Sequence, residues 1–189
     1  MRCTVDEMER AWSRLARRTI AGVLATFLLG VTAPAQAASI DDPDYARGPL
    51  DLRRLVARKH DATAPLRLRL STYGRWKASV LDVSGKSRIF FLFNTDQDGG
   101  ADFIGEVFFR DGRLLMRIET SGGQFVRRIR VNHPTQSSIK AVVPQGLPNP
   151  DGSAWVAARE RYQSETGPCA SICHDRIPNK GWLKVTPGL

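Results

Sequence analysis

Leu66-Arg67-Leu68-Arg69-Leu70 alternates apolar and cationic side chains with a strict period of two. Successive side chains of an extended chain point to opposite faces, so the stretch predicts a strand with leucines on one face and guanidinium groups on the other. The pattern recurs downstream. Leu114, Met116 and Ile118 alternate with Arg113 and Arg117, although Leu115 interrupts them. Phe125, Ile129 and Val131 share one parity, with Arg128 and Arg130 on the other. Arg127 falls on the apolar parity, which predicts a bulge or a sheet edge there. Ile89 to Phe93 (Ile-Phe-Phe-Leu-Phe) is continuously apolar and reads as a central strand covered on both faces.

Turn signals separate these runs. Tyr73-Gly74, Ser84-Gly85, Asp98-Gly99-Gly100, Asp111-Gly112 and Gly122-Gly123 recur at intervals of roughly ten residues. Asp111-Gly112 predicts a hairpin, because both residues tolerate positive φ. Strands are expected over 50–59, 65–72, 76–82, 87–94, 102–110, 113–119, 124–132, 137–143, 154–161 and 181–186. Ser153 to Tyr162 also reads as a short helix, since Ala, Arg and Glu favour one. Strand number and spacing predict an all-β fold: an antiparallel two-sheet β-sandwich, jelly-roll or immunoglobulin-like. Pro144 to Gly152 is the longest irregular loop.

The N-terminus reads differently. Ile20 to Val31 is an apolar run behind Arg14, Arg17 and Arg18, and Ala35-Gln36-Ala37 follows as a small-x-small cleavage pattern. That order predicts a secretory signal peptide over 1–37 and a domain over 38–189, hence a secreted or cell-envelope protein. The run is shorter than the roughly 20 apolar residues of a membrane span. Cys3 lies upstream of it and no Cys stands at the cleavage point, so a lipoprotein anchor is not expected. Arg17-Arg18 leaves the twin-arginine route open beside the general one, and Met8 is an alternative start.

Without residues 1–37, the remaining 152 residues carry 23 basic and 16 acidic groups, a net charge of +7. A positive balance favours anionic partners such as wall polymers or other polyanions. Arg67, Arg69, Arg128 and Arg130 are the candidate ligand-binding residues on such a face, and a merely solvated basic surface is the alternative. Specific nucleic-acid binding is not expected. Tyr73, Trp76, Trp155, Tyr162 and Trp182 could stack on sugar rings if they line one face; otherwise they are core or loop anchors.

Asn94-x-Asp96-x-Asp98-Gly99-x-x-Asp102 is the candidate metal loop. Calcium takes six to eight oxygens, and alternate acidic residues around a Gly turn can converge on one ion, here in a structural role. The position that should carry the bidentate Glu is Gly105, with Glu106 one residue late. A plain polar turn is the second reading. Asp41, Asp42, Asp44 and Asp51 form another acidic cluster, able to complete a cation site if the N-terminal segment folds back, or else solvated. Cys169 and Cys173 predict a local disulfide in an exported protein. Cys169-x-x-x-Cys173-His174 also resembles an expanded haem-attachment site, with one residue too many between the thiols. The dicopper pattern fails, because Ile177 stands where its His should be.

No catalytic template fits. Gly85-Lys86-Ser87 ends like a phosphate-binding loop, yet Val80 replaces its first Gly. There is no Gly-x-Ser-x-Gly, and His60, His133 and His174 are the only histidines. His60-Asp61 is an acid/base pair in sequence alone.

Asp41-Asp42-Pro43-Asp44, Gly48-Pro49-Leu50-Asp51-Leu52, Phe93-Asn94-Thr95-Asp96-Gln97-Asp98-Gly99 and the Cys-bearing C-terminal turn give the chain a layout over 41–189. It resembles secreted actinobacterial β-sandwich proteins of uncharacterised function and, more distantly, DOMON and family-9 carbohydrate-binding modules. The resemblance implies a sandwich fold rather than an activity. The expectation is a secreted, non-catalytic binding or envelope-associated module for polysaccharide or anionic polymer. A secreted hydrolase and a haem-binding module are the alternatives.

Overall fold

In a computed structural model, the described residues are 37–44, 46, 48–82, 84–147, 153–163, 169 and 172–188. Eleven strands follow in chain order: β1 (Ala37–Asp41), β2 (Leu52–Arg58), β3 (Leu66–Thr72), β4 (Arg88–Asn94), β5 (Phe103–Arg110) and β6 (Arg113–Thr120). Then come β7 (Phe125–Thr135), β8 (Ser138–Val143), β9 (Ala154–Tyr162), β10 (Cys173–Ile177) and β11 (Leu183–Val185). The all-β, antiparallel expectation holds. Ala154–Tyr162 is strand rather than helix, and the strand expected over 76–82 is a 3-10 turn at Ala78–Leu81. That segment buries Leu81 and closes a turn, with Val80 N donating to Lys77 O at 2.9 Å. The expected signal peptide lies outside the described residues, except for Ala37, which opens β1. No helix among the described residues is long and apolar enough to cross a membrane.

The strands form one hydrogen-bonded path, β1-β2-β3-β8-β7-β6-β5-β4-β9-β10, with β11 on the same edge of β9 as β10. This corrects the two-sheet sandwich. β7 is long enough to serve both halves: Phe125–Arg130 pairs with β6, and the segment from Val131 pairs with β8. A register shift opposite Ile118/Glu119 leaves Val126 unpaired, next to the Arg127 whose parity predicted a bulge. The path curls until its ends meet, nearly closing a barrel: β2 lies against β9 and β10, and β11 lies against β1. The seam is fastened by loop and side-chain bonds. Leu52 N donates to Asp175 Oδ2 at 2.8 Å, and Asn179 Nδ2 donates to Asp42 Oδ1 at 2.8 Å.

Alternation decides what lies inside. Leu66, Leu68 and Leu70 of β3 are buried while Arg67 and Arg69 are exposed. Ile89, Phe91 and Phe93 of β4 join Val107, Met116, Ile118 and Val156 in the same core. Each such side chain contributes roughly 1.5–3 kcal/mol of hydrophobic stabilisation. The outward Phe90 and Leu92 are half-buried, so β4 is central in the sheet and partly covered on its second face. The β5–β6 hairpin turns at Asp111 (φ 50°) and Gly112 (φ 73°), as the Asp-Gly pair predicts. Gly74 matters for position. A Cβ there would stand 2.5 Å from Pro49 Cα, so only Gly lets the 48–51 segment, which carries Asp51, pack against the end of β3.

Candidate functional site

Four carboxylates meet inside the seam. Asp42 follows β1, with its N–H held by Arg53 O at 2.9 Å, and Asp51 immediately precedes β2. Asp175 is the third residue of β10, and Glu160 of β9 is its direct cross-strand partner, so both side chains share the inward face. The three aspartates are each 3% exposed and Glu160 is 0% exposed. One carboxylate oxygen from each of Asp42, Asp51 and Asp175 lies within 4.8 Å of the other two.

Their hydrogen bonds are incomplete. Asp175 accepts from Leu52 N (2.8 Å) and Arg176 N (2.7 Å), and Asp42 Oδ1 accepts from Asn179. Tyr73 OH donates to the Asp42 carbonyl at 2.6 Å, fixing the backbone rather than the carboxylate. Asp42 Oδ2, Asp51 Oδ1 and both Glu160 oxygens are buried without a partner. Among the described residues no basic side chain donates to these four oxygens. Arg176 donates to Pro178 O (2.5 Å) and Gly181 O (2.8 Å), and buried Lys59 follows the far end of β2.

Burying a carboxylate without compensation favours its neutral form. Desolvation, reinforced by Asp175, raises Asp42 to about 6. Desolvation, a carboxyl–carboxyl bond to Asp44 and the charge of Asp175 raise Asp51 to about 7. Desolvation followed by the charges of Asp175 and Asp51 raises Glu160 to about 8, against a weaker pull from Arg159. The trio could hold a metal ion, since hard cations are the usual partners of such convergent oxygens.

The loop expected to bind calcium is built differently. Asn94 Oδ1 accepts from Gln97 N (2.6 Å), Asp96 Oδ1 from Asp98 N (3.1 Å) and Asp98 Oδ1 from Gly100 N (2.7 Å). Asp102 Oδ2 accepts from Thr95 N (2.5 Å) and Thr95 Oγ1 (2.7 Å). These acceptors tie the β4–β5 turn, and among the described residues the only acidic group close enough to share an ion is Asp42, Asp51 and Asp175. Asp42 and Asp51 belong to the acidic cluster singled out in the sequence. Asp175 and Glu160 are far away in sequence and escaped notice. One signal existed: Glu160 shares the inward parity of Val156 and Ala158, where a charged residue is anomalous.

The candidate ligand-binding arginines all lie on the outer surface. Arg69 stands opposite Lys140 and Arg67 opposite Val142 across β3–β8, while Lys140 stands opposite Asn132 across β8–β7. Arg130 and Arg128 share the parity of Asn132, so the five cations occupy one continuous outward face. All five are exposed, and among the described residues none forms an ion pair; Arg128 lies over Phe108 at 6.0 Å. Beside them a concavity of about 530 Å³ is lined by Arg53, Arg54 and Arg69, the Asp41 carboxylate that pairs with Arg54, and the hydroxyls of Ser71 and Thr135. A second, of about 320 Å³, lies over Phe90, Leu92, Ile104 and His174. Neither holds two carboxylates.

Other candidates are absorbed structurally. Cys169 and Cys173 form a disulfide (Cα–Cα 5.4 Å), which occupies both thiols that a covalent haem would need. Asp61 accepts from Thr63 N and Oγ1, which holds its carboxyl below the usual range and makes it a turn residue beside exposed His60. Trp76 is buried, donates to Thr72 Oγ1 at 3.1 Å and stacks on His133 at 4.2 Å. Trp155 and Trp182 lie under Lys184 and Arg176. No protein-family model matches the chain, and no curated protein or solved structure gives a significant match.

Proposed function

We propose that the protein is an exported, non-catalytic binding module that engages an anionic polymer of the cell envelope through the outer face of β3, β8 and β7. The carrying observation is the array Arg67, Arg69, Lys140, Arg130 and Arg128, exposed together with no paired carboxylate among the described residues. Neighbouring strands stand about 4.8 Å apart, so the array presents repeated cations to a repeated anion. Guanidinium forks bind phosphate or carboxylate bidentately, and rigid strands fix their spacing. The Ile20–Val31 pattern supports export. A structural calcium belongs to this reading as a brace for the domain, remote from recognition.

Retention of the purified protein on heparin-agarose, with neutral dextran as control, tests the proposal. The expected result is binding to heparin alone, lost as salt rises, because exposed charges are screened within about 8 Å at 0.15 M ionic strength. Arg67→Ser/Arg69→Ser should elute at clearly lower salt. Unchanged elution of that variant, or salt-insensitive retention on dextran, would overturn it; the latter result would favour a sugar-stacking module.

A further inference from the structure

We infer that Asp42, Asp51 and Asp175, with Glu160 beside them, form a site for one divalent cation of the hard, oxygen-seeking kind, calcium foremost, which fastens the barrel seam. The site is independent of the arginine face. Three oxygens within 4.8 Å of one another fit the coordination sphere of a single ion. Calcium tolerates irregular sets of six to eight oxygens, whereas magnesium demands near-ideal octahedral geometry and keeps several waters, so a dry set of protein carboxylates suits calcium better.

The second observation is what the oxygens lack. Asp42 Oδ2, Asp51 Oδ1 and both Glu160 oxygens are buried with no donor, although buried polar atoms are normally bonded. Glu160 adds to this from beside the trio: it is fully buried and faces inward opposite Asp175. A strand that needed only packing there would carry an apolar residue, as it does at Val156 and Ala158. A cation among the three aspartates supplies the missing partner to Asp42 Oδ2 and Asp51 Oδ1 and places a positive charge beside Glu160. The oxygens already bonded to Leu52 N, Arg176 N and Asn179 hold the ligands in orientation, as outer partners of metal ligands do.

The topology says what binding would accomplish. Asp42 and Asp51 flank the start of β2, near one end of the strand path, while Asp175 and Glu160 lie on β10 and β9 at the other. Among the described residues the seam between β2 and β10 has no backbone ladder, so an ion would link the two ends where hydrogen bonding does not.

The test uses purified protein freed of metal with chelator and then returned to chelator-free buffer. Calcium, magnesium and manganese chlorides are titrated separately, with melting temperature and native mass spectrometry as readouts. One bound ion per chain and a raised melting temperature are expected, with calcium strongest. Asp51→Asn and Glu160→Gln should each weaken calcium binding by at least about tenfold, while Asp98→Asn leaves it unchanged. Stoichiometry on the unaltered protein decides the matter if a variant does not fold. No bound ion with any of the three metals would overturn the site and leave the carboxyls sharing protons. So would binding lost in Asp98→Asn and kept in Asp51→Asn, which would return the ion to the 94–102 loop. Heparin retention is unaffected by either result, so the two proposals fail separately.

Discussion

The 94–102 loop and the barrel seam are both acidic, yet their carboxylates are in opposite physical states. In the loop each aspartate takes a nearby N–H within seven residues of sequence on one of its oxygens, and Asp96 and Asp98 stay exposed. At the seam the carboxylates come from segments more than 100 residues apart, are dry, and leave oxygens without donors. Local spacing therefore built a turn, and tertiary closure built the charged centre. An acidic motif regular in sequence satisfies itself through the backbone; convergence without local partners is what creates demand for a ligand.

The largest difference should appear when Asp175 is removed. Asp175→Ala orphans Leu52 N and Arg176 N, each at about 1–3 kcal/mol, while relief of repulsion among the remaining carboxylates returns part of that. A net loss of about 2 kcal/mol in metal-free buffer is expected by chemical denaturation. A variant as stable as the parent would mean that the seam does not depend on this contact.

The second difference is one of sign. Asp42, Asp51 and Glu160 have folded values raised to about 6, 7 and 8 by burial and mutual repulsion. For acids raised on folding, the stabilising share is complete below the unfolded value near 4. It is lost as pH rises through the folded values. In chelator, the stability of Glu160→Gln relative to the parent should therefore rise steadily as pH goes from about 5 to above 8. A parent that gains stability on this variant between those limits would contradict the buried, unpaired state of Glu160.

Much of this contrast was hidden from the sequence for a physical reason. Leu66 to Leu70, the β4 run and the Asp111-Gly112 hairpin were legible because period two and turn chemistry are local. The bulge beside Arg127 was legible from broken parity. Barrel against sandwich was not, because both use the same alternation and differ in how β7 shares its pairing and how β2 meets β10. β1 was missed because it begins inside the expected signal segment. β10 was missed because Cys173–Ile177 offers only Asp175 and Ile177 to the interior. Asp42 and Asp51 were marked as acidic, but only the closed seam brings them to Asp175 and Glu160.

The smallest effect belongs to the loop. Asp102→Ala removes the acceptor of Thr95 N and Oγ1 at a half-buried position between β4 and β5. Water can reach part of that site, so the cost should stay near 1 kcal/mol, below that of Asp175→Ala. The loss should be the same with calcium and with chelator, since a turn bond answers to neither. Thermal melts of Asp102→Ala in both buffers measure this directly. A destabilisation seen only with calcium would show that the loop, like the seam, gathers its oxygens around an ion, and the contrast between the two regions would collapse.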